Sequence, residues 1–343
     1  MSGTDSAPGP ILIGGLTLSN PLCLAPLAGV TAAPLRAFFS HLGAGLTHTE
    51  MVSCAGLVRG NARTADMLRV LPCEAPLILQ LFAPDAGMTA RGAEAALELN
   101  RRRGERPFAG LGINMACPMP KVTRRGAGAA LLKAPAEAFL IVRALKKFAL
   151  PVWVKMRRLD RLDETLQFIE GLLSAGADNV CLHGRTAAQR YEGLADRSFA
   201  EAASARFPGF ISASGDVRAV GDVEAYLAMG CAPVMLARGA LANPWFLPEA
   251  LHKLGFEVPA GRLNPGLKER FEALCRLGDG AKAVVGERQA VVLLKRLMGG
   301  ILRGMEGASE LRRRAGCAVA LDELLGVFSL AYGTNRDAPP TAG

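Results

Sequence analysis

The most informative segment of the 343-residue sequence reads Gly112-Ile113-Asn114-Met115-Ala116-Cys117-Pro118-Met119-Pro120-Lys121-Val122. It leaves an apolar run and enters a basic loop that two prolines interrupt. Because proline cannot donate a backbone hydrogen bond, regular structure stops here, and Cys117 is expected to present its thiol to a cleft. The alternative is that Cys117 only fills space, as free cysteines commonly do. The rest of the chain decides between the two interpretations.

Similar apolar runs recur on both sides of this segment, with amphipathic stretches between them. The predicted strands span residues 22–25, 46–50, 77–81, 110–114, 152–156, 179–183, 210–214 and 234–237. The predicted helices span residues 32–41, 86–99, 134–148, 162–174, 199–207 and 220–229. This alternation predicts an α/β fold, a (β/α)8 TIM barrel in which every strand ends on the same face. A hairpin at residues 11–18 is expected to plug the opposite end.

Polar, small or glycine residues follow all the predicted strands, at the face where barrel enzymes keep their active sites. They include Pro26, Leu27, Ala28, Glu50, Gln80, Asn114, Cys117, Lys155, His183, Arg185, Ser214, Gly215, Asp216, Ala237 and Arg238. Any one of them has an ordinary structural explanation, but their coincidence at one face favours a site. Small residues after strands seven and eight allow backbone N–H groups to approach a phosphate. Lys155, His183 and Gln80 are suited to an electron-rich ring, so the sequence predicts a phosphorylated heteroaromatic cofactor such as flavin mononucleotide (FMN).

Composition narrows the class of protein. The net charge of +9 and the isoelectric point near 9.4 favour a polyanionic partner without proving one. The eight cysteines form no C-x-x-C pair and the four histidines show no metal-ligand spacing, so we expect reduced thiols and no metal. No apolar stretch is long enough to cross a membrane and the first residues do not resemble a signal peptide. We therefore expect a cytoplasmic protein, and a monomer.

The strand pattern stops after Trp245. Residues 259–265 are predicted to form a linker, and residues 267–281, 287–303 and 309–330 to form helices with an apolar stripe and a basic face that includes Lys295 and Arg296. The predicted organisation is a disordered tail at 1–10, an FMN-binding barrel at 11–255, a smaller all-helical domain at 256–333 and a disordered tail at 334–343. The basic faces predict RNA binding, although interleaved acidic residues leave open an ordinary solvated surface.

A series of motifs in this chain resembles, in order and spacing, the signatures of the tRNA-dihydrouridine synthase family, in particular its bacterial branch. They are Ala25-Pro26-Leu27-Ala28-Gly29-Val30-Thr31, Thr49-Glu50-Met51, Gln80-Leu81-Phe82, Asn114-Met115-Ala116-Cys117-Pro118, Lys155-Met156-Arg157, His183-Gly184-Arg185-Thr186, Ser214-Gly215-Asp216, Ala237-Arg238-Gly239 and Gly304-Met305-Glu306-Gly307. No single motif is specific, but the ordered series is.

The resemblance implies an FMN barrel with a helical tRNA-binding domain that reduces the C5=C6 bond of particular uridines with NADPH or NADH. It implies that Cys117 is the proton donor, and a thiol suits this step because an ordinary cysteine is mostly protonated near neutral pH. The residues implied to face FMN are Pro26, Leu27, Ala28, Gln80, Lys155, His183, Ser214, Gly215, Asp216, Ala237 and Arg238. The residues implied to contact substrate are Asn114, Arg185, Lys295 and Arg296. For Arg185 the implied contact is either RNA or the flavin phosphate.

Three positions depart from the family pattern, which usually has Asn-Gly-Asp, Gly-Arg and Gly-Cys-Pro where this chain has Ser214-Gly215-Asp216, Ala237-Arg238 and Ala116-Cys117-Pro118. All keep a small side chain, so retuned rather than lost flavin binding is expected. Two other functions stay open at this stage. One is a flavin-dependent ene-reductase acting on a small pyrimidine or enone, which would not need basic helices. The other is a non-catalytic RNA-binding protein, which would not need the flavin-facing residues.

Overall fold

The computed structural model describes residues 8–302 and 305–333. The predicted tail at 334–343, residues 1–7 of the predicted tail at 1–10, and Arg303 at the end of the predicted helix at 287–303 lie outside these residues. The described chain begins with a hairpin of β1 (Ile11–Ile13) and β2 (Leu16–Leu18). The Trp153 indole donates to the Gly14 carbonyl at 3.0 Å, and the buried side chains of the hairpin pack against Trp153 and Ile78 inside the barrel. The hairpin therefore closes one end of the barrel, as predicted.

Parallel strands form the barrel in chain order. They are β3 (Leu22–Leu24), β4 (Thr47–His48), β5 (Val52–Ser53), β6 (Leu77–Phe82), β7 (Gly110–Met115), β8 (Val152–Arg157), β9 (Asn179–His183), β10 (Ile211–Ser214) and β11 (Val234–Leu236). Strand β11 pairs with β3, and a parallel bridge between Cys23 and Leu46 joins β3 to the segment that leads into β4. The Leu24 N–H donates to the Leu46 carbonyl at 2.9 Å across this junction. The (β/α)8 prediction is confirmed.

The second predicted strand, 46–50, is wrong in detail because β4 ends at His48 and pairing with β6 resumes at β5. Between them, the Thr49 hydroxyl accepts from the Gln80 N–H at 2.9 Å and donates to the Glu50 carbonyl at 2.8 Å. These side-chain bonds replace the regular strand ladder. The interruption leaves Glu50 free to turn its carboxylate toward the loop that follows β3.

Helices surround the strands. They are α1 (Ala33–His41), α2 (Cys54–Val58), α3 (Ala62–Asp66), α4 (Ala86–Arg102), α5 (Pro120–Thr123), α6 (Pro135–Lys146), α7 (Leu162–Ser174), α8 (Ser198–Arg206), α9 (Val220–Ala228), α10 (Arg238–Ala242) and α11 (Phe246–Lys253), with a 3-10 helix at Gly128–Lys133. Their apolar faces cover the outside of the strands and form one continuous buried core with them.

The C-terminal region is helical, with α12 (Leu267–Val285), α13 (Glu287–Ile301), α14 (Ala308–Cys317) and α15 (Leu321–Tyr332). The prediction of one helix at 309–330 is wrong, because the structure has two helices there, α14 and α15. The Glu323 carboxylate accepts from the Val319 N–H at 2.8 Å and from the Ala320 N–H at 3.3 Å, and these bonds cap the start of α15. Helix α13 packs against α10 at Gly300, where any side chain would collide with the Ala242 carbonyl. Among the described residues, no helix is both long and apolar enough to cross a membrane.

Candidate functional site

A cavity of about 370 Å³ opens at the end of the barrel where the strands finish. Most of the residues predicted from the sequence line it, and they come from six of the strand ends. These residues are Pro26, Leu27, Ala28, Asn114, Cys117, Lys155, His183, Ser214, Gly215, Asp216, Ala237 and Arg238. Parallel strands explain the convergence, since their carboxyl ends share one face. Gln80, Arg185, Lys295 and Arg296 do not line this cavity.

Cys117 lies half-buried at the cavity wall, directly after β7. Its N–H donates to Asn114 Oδ1 at 2.9 Å, and its carbonyl accepts from the Ala129 N–H at 3.0 Å. Gly128 has a φ of +61° and an added Cβ would lie 2.7 Å from the Cys117 carbonyl, so glycine is required for this approach. The backbone of Cys117 is thus held on both sides.

Gln80 does not line the cavity. Its side chain is 1% exposed and its Oε1 accepts from Asn114 Nδ2 at 3.0 Å, so it lies behind Asn114 instead of facing the cavity. Because β6 and β7 run side by side, the Asn114 amide reaches the buried Gln80 side-chain oxygen. The predicted contact between Gln80 and the cofactor stays a prediction. Gln80 orients the asparagine that in turn holds the Cys117 backbone.

Lys155 and His183 give the cavity its donors. Lys155 Nζ lies 3.0 Å from Ser214 Oγ, and burial lowers the pKa of Lys155 from the ordinary lysine value. His183 Nδ1 accepts from the Arg185 N–H at 3.2 Å, so the ring proton belongs on Nε2, on the side of Gly215. Burial, reinforced by the positive charge of Lys155, lowers the pKa of His183 to about 2. His183 is therefore a neutral hydrogen-bond donor at physiological pH.

Arg185 does not line the cavity either. Its side chain is 1% exposed, and it donates to Asp216 Oδ2 at 2.6 Å, the Gly193 carbonyl at 2.7 Å and the Glu192 carbonyl at 3.1 Å. These acceptors hold the guanidinium beneath the loop after β9, and its predicted contact with RNA or a flavin phosphate stays a prediction. Arg185 fixes that loop to the end of β10.

Asp216 is the centre of a cationic cluster at the ends of β10 and β11. Besides Arg185, it pairs with Arg218 and Arg238, each at 3.4 Å. Burial raises the pKa of Asp216, but hydrogen bonds from the Ala195 N–H and Arg185 outweigh this, and the net effect lowers its pKa. One ionised carboxylate among three arginines leaves this edge of the cavity positively charged. Such an edge is suited to an anionic group, for example a phosphate.

Sequence reasoning gave no role in the site to several residues that line the cavity, among them Met51, Lys121, Arg157, Tyr191 and Arg218. Arg157 follows Lys155 by two positions on β8, a spacing that puts both side chains on one face of the strand and was therefore detectable. Tyr191 is 59% exposed, and the guanidinium groups of Arg238 and Arg157 lie 5.2 and 5.7 Å from its ring centre. It lies in an irregular loop, so no periodic signal marked it.

Comparison with known proteins agrees with this arrangement. The family model described as dihydrouridine synthase matches residues 23–328. The chain belongs to the dihydrouridine synthase family. It is 32% identical to a probable tRNA-dihydrouridine synthase of Mycobacterium tuberculosis, over 92% of this chain and 84% of that protein. It is 31% identical to tRNA-dihydrouridine synthase B of Pseudomonas putida, over 89% of each chain.

Solved structures support the fold of this dihydrouridine synthase. Morphinone reductase in complex with tetrahydroNAD superposes with a TM-score of 0.53 and 15% identity, over 73% of this chain and 90% of that one. At this level of identity, the likeness shows the barrel fold alone. The described residues of this family member contain no group of three His, Cys, Asp or Glu side chains arranged to hold a metal ion. Cys117 is a free thiol.

A second cavity of this dihydrouridine synthase, about 740 Å³, lies between the barrel and the C-terminal helices. It shares Arg218 and Arg238 with the first cavity and adds Arg270 from α12, whose guanidinium lies 4.9 Å from the Trp245 ring centre. We call it the arginine cavity. Arg270 was not singled out for a site because its role depends on the docking of the helical region on the barrel, which no local pattern reveals.

Lys295 and Arg296 lie on α13 and line neither cavity. Lys295 Nζ donates to the Gly316 carbonyl at 2.8 Å near the end of α14, so its ammonium group already has an intramolecular partner. Arg296 is exposed. Their predicted contact with substrate stays a prediction, and it concerns the outer surface of the helical region.

Proposed function

We propose that this protein reduces the C5=C6 double bond of specific uridines in tRNA to 5,6-dihydrouridine, with FMN as cofactor and NADPH as electron donor. The observation that carries the proposal is that one cavity is lined by both Cys117 and the cationic cluster around Asp216, in a chain of the dihydrouridine synthase family. The names of the relatives from Mycobacterium tuberculosis and Pseudomonas putida support tRNA as the substrate. We propose that the protein acts in the cytoplasm as a monomer.

The residues around the cavity fit FMN. The cationic cluster around Asp216, with Arg218 and Arg238, suits the phosphate. Lys155 offers a positive charge, and the neutral His183 offers one donor, toward the electron-rich part of a flavin ring. When bound here and reduced by NADPH, FMN supplies the hydride that the uracil double bond accepts.

The chain itself supplies the proton. Hydride addition builds negative charge on the uracil, and the neighbouring carbon then needs a proton from a nearby acid. The Cys117 thiol lines the cavity, and Asn114 and Ala129 hold its backbone through the bonds described above. We propose that Cys117 is the general acid and that Asn114 contacts the uracil. Arg157, which donates to the Ala116 carbonyl at 2.8 Å, stabilises the same turn from the neighbouring strand.

We propose that the arginine cavity and the exposed cations of the helical region bind the tRNA backbone. Arg218, Arg238 and Arg270 line the cavity without an acidic residue among its lining residues. The arginine cavity adjoins the candidate active site, so an RNA strand bound there would lie close to Cys117. Arginine side chains are well suited to phosphate because they donate in a planar fork. This assignment moves the centre of the RNA surface from Lys295 and Arg296 to the junction of the two regions.

The test is a reconstituted reaction. One sample of the purified protein is heated to release its FMN, which is then quantified. A second, unheated sample is incubated with NADPH and tRNA from a strain that lacks its own dihydrouridine synthases. The proposal expects one FMN per chain and dihydrouridine at defined tRNA positions. Free uracil and small enones serve as competing substrates. If they are reduced and no dihydrouridine forms in tRNA, the ene-reductase alternative replaces the proposal.

A further inference from the structure

The loop after β3 forms one wall of the candidate active site, and its conformation depends on buried groups outside the cavity. Pro26, Leu27, Ala28 and Val30 line the cavity. The Leu27 carbonyl accepts from the Val30 and Thr31 N–H groups, each at 3.0 Å, which forms a tight turn. Gly29 takes a φ of +72° in this turn, a value that glycine adopts without strain.

One set of contacts fixes the end of this turn. Thr31 is fully buried, and its hydroxyl accepts from the Leu27 N–H at 3.1 Å. The Thr31 carbonyl accepts from Arg36 Nη1 at 2.7 Å. Arg36 in turn forms a salt bridge with Glu74 at 2.7 Å, in which both side chains are fully buried. A buried ion pair is costly to break when one partner is removed, so Arg36 and Glu74 form a rigid base for Thr31.

A second contact fixes the middle of the turn. The Gly29 N–H donates to the carboxylate of Glu50, a buried residue in the interruption between β4 and β5. Charge-assisted hydrogen bonds of this kind are stronger than neutral ones. The carboxylate therefore holds the exposed part of the loop from a neighbouring strand.

Only one N–H group of the loop is then left for a ligand. Pro26 has no N–H, and those of Leu27, Gly29, Val30 and Thr31 have acceptors within the protein. The Ala28 N–H has no acceptor in residues 8–302 and 305–333, and Ala28 is exposed and lines the cavity. A rigid, unpaired donor at a cavity wall is what an acceptor atom of a planar cofactor requires.

We propose that Thr31 and Glu50 are positioning residues that hold the Ala28 N–H as a hydrogen-bond donor toward the flavin ring. Neither residue lines the cavity, so each acts through the loop. The inference rests on one part of the proposed function, namely that FMN occupies the cavity. It assigns roles to Thr31, Glu50 and the Arg36–Glu74 pair that the chemistry of the reaction does not require.

The experiment compares FMN retention in matched variants. Thr31→Val removes the hydroxyl with little change of shape, and Thr31→Ser retains it. Thr165→Val is the control, because the Thr165 hydroxyl is equally buried and also holds a loop, accepting from the Leu159 N–H at 3.0 Å and donating to the Arg161 carbonyl at 2.8 Å, outside the cavity. Holoprotein is diluted stepwise, and the fluorescence of released FMN gives the dissociation constant, with the melting temperature measured alongside.

Thr31→Val is expected to weaken FMN binding by about tenfold or more, the effect of one well-placed hydrogen bond, while Thr31→Ser and Thr165→Val bind as the wild type does. Glu50→Ala is expected to weaken binding similarly, and Glu50→Gln to recover it because an amide oxygen still accepts from Gly29. Equal FMN retention in Thr31→Val and Thr165→Val would overturn the inference. Wild-type protein without any flavin would instead overturn the proposed function.

Discussion

Replacing His183 with glutamine tests the electrostatics of the candidate active site through its effect on stability. In the folded protein the pKa of His183 is lowered to about 2 by burial and by the charge of Lys155, whereas an unfolded histidine titrates near 6.5. Below pH 6.5 the unfolded chain therefore binds a proton that the folded chain does not. The free energy of unfolding must therefore fall as the pH decreases from 6.5 toward 2. The contribution of His183 to that free energy is constant above about pH 7.5.

The expected change in the free energy of unfolding follows from the linkage between proton binding and folding. Each pH unit below 6.5 costs about 1.4 kcal/mol per histidine, so lowering the pH from 7.5 to 5.0 costs about 2 kcal/mol through His183 alone. His48, whose pKa is lowered to about 4 by burial, contributes in parallel in both proteins. The free energy of unfolding is measured by urea titration at both pH values and a fixed flavin concentration. His183→Gln should lose about 2 kcal/mol less than the wild type, and an equal loss in both proteins would refute a neutral, buried His183.

Three other changes test separate parts of the structure. Lys155→Met removes the buried charge beside Ser214 and should weaken FMN retention about tenfold or slow flavin reduction by NADPH; unchanged values for both would exclude Lys155 from the cofactor site. Arg270→Glu should weaken tRNA binding and reduce its log–log salt slope by about one unit, whereas Arg206→Glu on α8, which lines neither cavity, should not; equal effects would move the RNA surface. Gly300→Ala should destabilise the protein by about 1–3 kcal/mol through the clash with Ala242, while Gly316→Ala, which meets open space on α14, should be neutral or stabilising in thermal unfolding.

The barrel and the composition of its candidate site could be predicted because a parallel barrel converts sequence order into position. Once residues 110–114 and their counterparts are assigned as strands, the residues that follow them must meet on one face. Cys117, Lys155, His183 and Asp216 were found in this way without any knowledge of distances. Arg157 belongs to the same class, because its spacing from Lys155 places it on the same side of β8.

The details that local pattern could not predict depend on contacts between distant segments. Gln80 turns toward Asn114 on the next strand, and Arg185 turns toward Asp216, 31 residues away in sequence. The break in the second strand likewise depends on a bond from Gln80 to the Thr49 hydroxyl. Side-chain pairing of this kind overrides local pattern, because burying a polar group without a partner costs more than a local change of direction. Arg270 joins the site only because the helical region docks beside α10.

The most direct test of the central claim is a single-turnover measurement on Cys117→Ala. Protein whose flavin has been reduced anaerobically by NADPH is mixed with unmodified tRNA, and dihydrouridine is measured over time, with Cys317→Ala on α14 as the control. The account predicts normal flavin content and normal reduction by NADPH in both variants. It predicts that dihydrouridine formation falls by about 10²–10⁴-fold only in Cys117→Ala, as expected for the loss of a general acid. Dihydrouridine formation at the wild-type rate by Cys117→Ala would contradict the account and leave Cys117 as a residue that packs the cavity wall.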